Sequence, residues 1–125
     1  KNSRGLYLLI RKNPAKYPEM GPKWEIVGGR IDPGSSLMVN LKREIKEEVN
    51  LDFDGNAKLV AAQDILRNPG KHVVRLTYTG SIEGEPQLSD ESLDFKWFTM
   101  EEMKQLTRQE LDVYFKELLD THVIT

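Results

Sequence analysis

The chain has 125 residues, 38% of them hydrophobic, enough for one domain with a single substantial core. A formal net charge of −2 and a pI near 5.7 give no basic field for a phosphate backbone, so a DNA or RNA duplex is excluded as a partner. The absence of cysteine excludes a disulfide frame, a zinc–thiolate centre and a thiol nucleophile. No apolar run approaches the length of a membrane span and no signal peptide is visible, so no membrane partner is expected and a cytoplasmic location is. The chain opens on Lys1 rather than Met, which leaves room for a missing N-terminal strand in an otherwise single domain spanning 1–125.

In chain order, Gly5-Leu6-Tyr7-Leu8-Leu9-Ile10 is a short apolar run bounded by Gly and by Arg11-Lys12, and reads as a buried strand. Residues 13–23 hold Pro14, Pro18, Pro22 and Gly21, so they read as a loop. Residues 24–27 form a short extended segment leading into Gly28-Gly29. The chain then turns through Asp32-Pro33-Gly34 and enters a helix capped by Ser35 or Ser36, with Asn50 suited to the left-handed residue that closes it. At about 100° per residue, Leu37, Leu41, Ile45, Met38 and Val49 fall on one apolar stripe. Glu44 and Glu47 project beside that stripe, and Glu48 intrudes on its edge.

Downstream, residues 57–62 and 72–78 read as strands joined through a turn at Asn68-Pro69-Gly70, an antiparallel hairpin. Residues 82–92 form a polar loop with four acids, and residues 94–98 a further strand with Phe95 and Trp97 on one face. Thr99 with Glu102, and Thr107 with Glu110, each fit a capping box, so two helices are expected. The second of these carries Leu111, Tyr114, Phe115, Leu118 and Leu119 as its apolar stripe.

The chemistry starts from the clustered carboxylates. A like-charge pair at i, i+4 such as Glu44 and Glu48 costs a helix roughly 0.2–0.5 kcal/mol. Lys42 and Lys46 project away from the acids, and Arg43 flanks Glu47. A divalent cation explains such a cluster, and glutamate oxygens suit Mg²⁺, with Mn²⁺ as the substitute. An acidic surface helix is the plain alternative. The glycine pair weighs against it, because a glycine loop feeding a helix N-terminus admits a close backbone approach and favours phosphate.

Gly29, then Arg43-Glu44-Ile45-x-Glu47-Glu48, then Leu51 resembles the signature of the Nudix hydrolase family (MutT-like). Seven of its nine fixed positions match; Ser35 replaces a glutamate and Asn50 a glycine. Asn50 tolerates the left-handed conformation and should cost little. Ser35 cannot pair with the signature arginine as a glutamate does, so Arg43 is expected to turn to Glu47, Asp32 or substrate phosphate, with reduced activity.

The resemblance implies an α+β fold, a Nudix-type α/β/α sandwich around a mixed β-sheet. It also implies Mg²⁺-dependent hydrolysis of a phosphoanhydride bond in a nucleoside diphosphate-X substrate, a nucleoside triphosphate or an ADP-ribose-like sugar, by a monomer or homodimer. Arg43, Glu44, Glu47 and Glu48 are the implied catalytic residues. The three glutamates would hold metal, joined by the Gly28 carbonyl and by Glu91 of the acidic loop, with Asp90, Glu85 and Glu83 as competitors. Arg11 and Lys23 could reach phosphate, Gly28 and Gly29 line the substrate, and Trp24, Phe95 or Trp97 could stack a base or pack the core. His72 and His122 receive no role. A nucleotide-binding sensor that has lost turnover is the alternative, for which Ser35 is the argument. A structural domain fits the glycine loop poorly, and a cysteine-dependent prenyl diphosphate isomerase is excluded.

Overall fold

A computed structural model describes residues 1–16, 18 and 23–124. Among the described residues five strands and three helices follow one another as β1 Tyr7–Lys12, β2 Trp24–Glu25, α1 Leu37–Val49, β3 Ala57–Ile65, β4 Val73–Gly80, β5 Ser92–Phe98, α2 Met100–Gln105 and α3 Val113–Asp120. β1 lies at the centre of a three-stranded sheet, between β2 and β5, and β3–β4 form a separate hairpin whose turn is closed by Lys71 N donating to Asn68 O. The named strand pairs are antiparallel, and a single parallel bridge joins Trp24 to Leu111 among the described residues. Of the segment read as a proline-rich loop, Tyr17, Glu19, Met20, Gly21 and Pro22 lie outside the described residues.

Side chains of β1 alternate between two cores. Leu9 joins Phe98, Met103, Leu111, Phe115, Leu118 and Leu119 on the face covered by α2 and α3. Ile10 joins Ile45, Val49 and Leu51 on the face covered by α1, with Phe95 packed against them. The result is a sheet sandwiched between helices, α+β in class. Lys12 shares the α1 face with Ile10, whereas Arg11 shares the opposite face with Leu9. That parity decides which charged groups can meet the helix.

One expected helix start is displaced. The Thr107–Glu110 box half forms, Thr107 N donating to Glu110 Oε1 at 3.0 Å, but it closes a turn rather than a helix. Leu111 is then captured by the bridge to Trp24, with Trp24 N donating to Glu110 O and Asp112 N donating to Trp24 O, each at 2.8 Å. The helix begins at Val113, capped by the buried Asp112, whose carboxylate accepts from Phe115 N at 3.0 Å and from Arg75 Nη1 at 2.6 Å. Asp112→Ala removes the cap and takes from Arg75 its carboxylate partner, leaving it the Tyr114 ring, so urea unfolding should show a loss of about 2–3 kcal/mol. Asp112→Asn keeps a capping oxygen and should lose about half of that; equal losses would show that the cap is not what matters.

Candidate active site

The turn after Gly29 is clipped onto α1 by two side chains. Asn40, buried on the carboxylate side of the helix, accepts from Asp32 N at 2.9 Å and donates to Ser36 O at 2.8 Å and Ser35 O at 3.2 Å. Arg43 donates to the Asp32 carboxylate and to Arg30 O. Ser36 caps the helix by accepting from Val39 N, and Asn50 ends it at φ 54°, ψ 39°, its N–H bonded to Lys46 O. The two glycines then separate in purpose. A Cβ on Gly29 would overlap the Glu44 carboxyl group, whereas among the described residues nothing lies within 4 Å of the Cβ position on Gly28. Gly29 therefore makes room for Glu44, and Gly28 faces open space.

The three glutamates sit in graded environments, with side-chain exposures of 61% for Glu47, 17% for Glu44 and 5% for Glu48. Arg43 holds the first two, with Nη2 2.8 Å from Glu44 Oε1 and Nε 3.6 Å from Glu47 Oε1. Hydrogen bonding to Glu44 raises the Arg43 pKa. Glu48 is held by Lys12 Nζ at 3.5 Å and by Gly28 N–H at 3.4 Å. Burial dominates its titration and pushes the carboxyl up to about 7, against the pull of Lys12 and the Gly28 amide. Glu25, whose Oε1 lies 3.8 Å from the same Lys12 Nζ, is raised by burial too.

In this arrangement the acids answer to their own cations. Among the described residues no three carboxylate or imidazole groups converge closely enough to hold a metal ion. The donor set nevertheless fits a hard divalent ion: three carboxylates within one and a half turns of helix, one of them buried and already facing a cation, the Lys12 ammonium.

Not all the expected site residues are brought together. Arg11 forms a two-bonded pair with Asp94 and lies 4.6 Å over the Trp24 ring, which itself packs edge-on against Phe98. Both sit on the sheet face away from α1. Lys23 is half-buried beside them in sequence, and Ser35 is exposed, its N–H donating to Asp32 O. Glu91 is exposed in a loop tied at both ends: Ser89 N donates to Glu48 O, and Asn13 N donates to Glu91 O. Phe95 packs in the α1-side core. Sequence reasoning missed Asn40, Lys12 and Glu25. The signal for Asn40 was its place on the helix among the acids, a polar residue four positions before Glu44.

Residues 1–119 match the family model described as NUDIX domain, and the chain belongs to that family. A Bacillus subtilis (strain 168) protein named "Putative 8-oxo-dGTP diphosphatase" is 35% identical over 78 residues, covering 61% of this chain and 50% of that protein. A Mycobacterium tuberculosis (strain CDC 1551 / Oshkosh) protein named "Putative 8-oxo-dGTP diphosphatase 2" is 28% identical over 87 residues, 70% of this chain and 61% of that protein. The chain thus spans between half and three-fifths of the length of these relatives. The crystal structure of a MutT protein from Methanosarcina mazei Go1 shares the fold with a TM-score of 0.82 at 22% identity, over 97% of this chain and 85% of that one. No helix among the described residues is long and apolar enough to cross a membrane.

Because Glu48 titrates near 7 in the folded chain against an ordinary 4.5, the native state binds its proton more tightly than the unfolded state does. The metal-free protein should therefore lose about 3 kcal/mol as pH rises through that interval. Glu48→Gln removes the loss. In chelator, its Tm relative to wild type should rise by roughly 5 °C or more between pH 5 and pH 8.5, and a pH-independent difference would contradict the assignment.

Proposed function

We propose that the protein is a divalent-metal-dependent Nudix pyrophosphohydrolase that cleaves a phosphoanhydride bond in a nucleoside diphosphate linked to a further group. The observation that carries this reading is the graded trio of Glu44, Glu47 and Glu48 on one helix, each held in place by the Gly28–Asp32 turn or by the cations packed on it. Glu44, Glu47 and Glu48 would hold Mg²⁺ or Mn²⁺, with the Gly28 carbonyl and Glu91 as further oxygen donors. The bound ion would neutralise phosphate charge and acidify the attacking water. Arg43 keeps the glutamates apart and oriented before substrate arrives. Glu47, the most exposed of the three, faces the solvent that supplies the water, and is the group to accept its proton. The names of the relatives favour an oxidised purine nucleoside triphosphate as the first substrate, with ADP-ribose-like compounds as the second.

The test is phosphate and pyrophosphate release against a nucleotide panel with Mg²⁺. Turnover should need the metal and fall roughly 10²-fold or more in Glu47→Gln. Nucleotide binding without turnover on any member would favour the sensor reading and point to Ser35.

Asp32 takes the role in holding Arg43 that the family resemblance gives to a glutamate at position 35. Asp32→Asn should lower kcat about tenfold, and adding Ser35→Glu should recover most of it. A double variant no better than the single one would show that Arg43 does not need a carboxylate from the turn.

A further inference from the structure

We propose that Lys12 is an internal counter-cation which holds the metal-binding carboxylates in the metal-free protein and is displaced when a divalent ion arrives. This rests on the reading that Glu48 is a metal ligand. Strand alternation puts Lys12 on the α1 face, where its ammonium lies 3.5 Å from Glu48 Oε2 and 3.8 Å from Glu25 Oε1. Both carboxylates are largely buried, and buried carboxylates without a cation are costly. One positive charge between two acids still leaves a net negative site, which a doubly charged ion neutralises better than an ammonium does. Both separations are at the long end for charge-assisted pairs. Lysine is also the residue suited to leaving: a compact charge on a flexible stem that can swing to water while its methylenes stay packed. By competing for Glu48, Lys12 weakens metal affinity and stabilises the chain when metal is absent.

Calorimetric titration of Mn²⁺ into chelator-stripped protein at pH 8.5 tests this directly. Lys12→Met should bind about tenfold more tightly than wild type, while Lys12→Arg, which keeps the charge, should stay within about threefold of it. The stripped Lys12→Met protein should also melt at a lower temperature than stripped wild type. Equal or weaker binding by Lys12→Met, with wild type binding normally, overturns the inference. Wild type that binds no Mn²⁺ overturns the metal-site reading beneath it. Should Lys12→Met fail to fold, the wild-type chain decides: acetic anhydride labelling of Lys12, read by peptide mass spectrometry, should rise severalfold when Mg²⁺ saturates the protein. Unchanged labelling overturns the displacement.

Discussion

The arrangement depends on a single charged group placed where an apolar one would ordinarily sit. Glu48 shares the buried side of α1 with Ile45 and Val49, and is as sheltered as they are. A carboxylate there persists because three different segments attend to it: Lys12 from the central strand, the Gly28 amide from the turn, and the helix that carries it. Strand, turn and helix are therefore locked together by the same charge that would otherwise be a defect. The stability given up at Glu48 is the kind of local cost that functional sites tolerate.

The central strand distributes the chemistry as well as the packing. Its two-residue period sends Leu9 and Arg11 to the α3 side, and Ile10 and Lys12 to the α1 side. Trp24 stands opposite Arg11 and Glu25 opposite Ile10, so β2 repeats the division. A shift of one residue in this pairing would bring Arg11 to the carboxylates and bury Lys12 among Phe98 and Leu118. Register, rather than the presence of a cation near the glycines, determines which one faces Glu48.

Local features were legible in the sequence; those made by distant pairing were not. The bounds of α1, its serine cap, the left-handed Asn50 and the hairpin turn at Asn68 all follow from short-range rules, and the structure shows each of them. The projection even placed Glu48 at the edge of the apolar stripe. That Arg11 could reach phosphate, and that Trp24 could either stack a base or pack the core, stay open in the sequence because nothing within a few residues announces which side of a sheet a strand residue takes. The Thr107 box misled for a related reason. Its hydrogen bonds formed, but the following Leu111 is claimed by a strand some ninety positions earlier, and Asp112 makes the better cap. Asn40 was overlooked since a polar residue on a helix is usually solvated, and here it bonds the turn instead.

The pairing of β1 with β5 has a consequence for how the chain is made. Tyr7 meets Phe98 and Lys12 meets Ser92, so the central strand waits for a partner that emerges from the ribosome late. At about 5–20 residues per second the delay is on the order of 4–17 s. Meanwhile α1 can coil and the β3–β4 hairpin can close, but neither has a finished sheet to pack on. Until then the β5 edge of Leu8, Leu9 and Ile10 lacks its partner strand, and Arg11 and Lys12 beside it are charges of the kind that discourage edge pairing. The lysine that faces Glu48 is thus also one of the two charges at the end of that strand, and the groups that attend to Glu48 all lie earlier in the chain than β5.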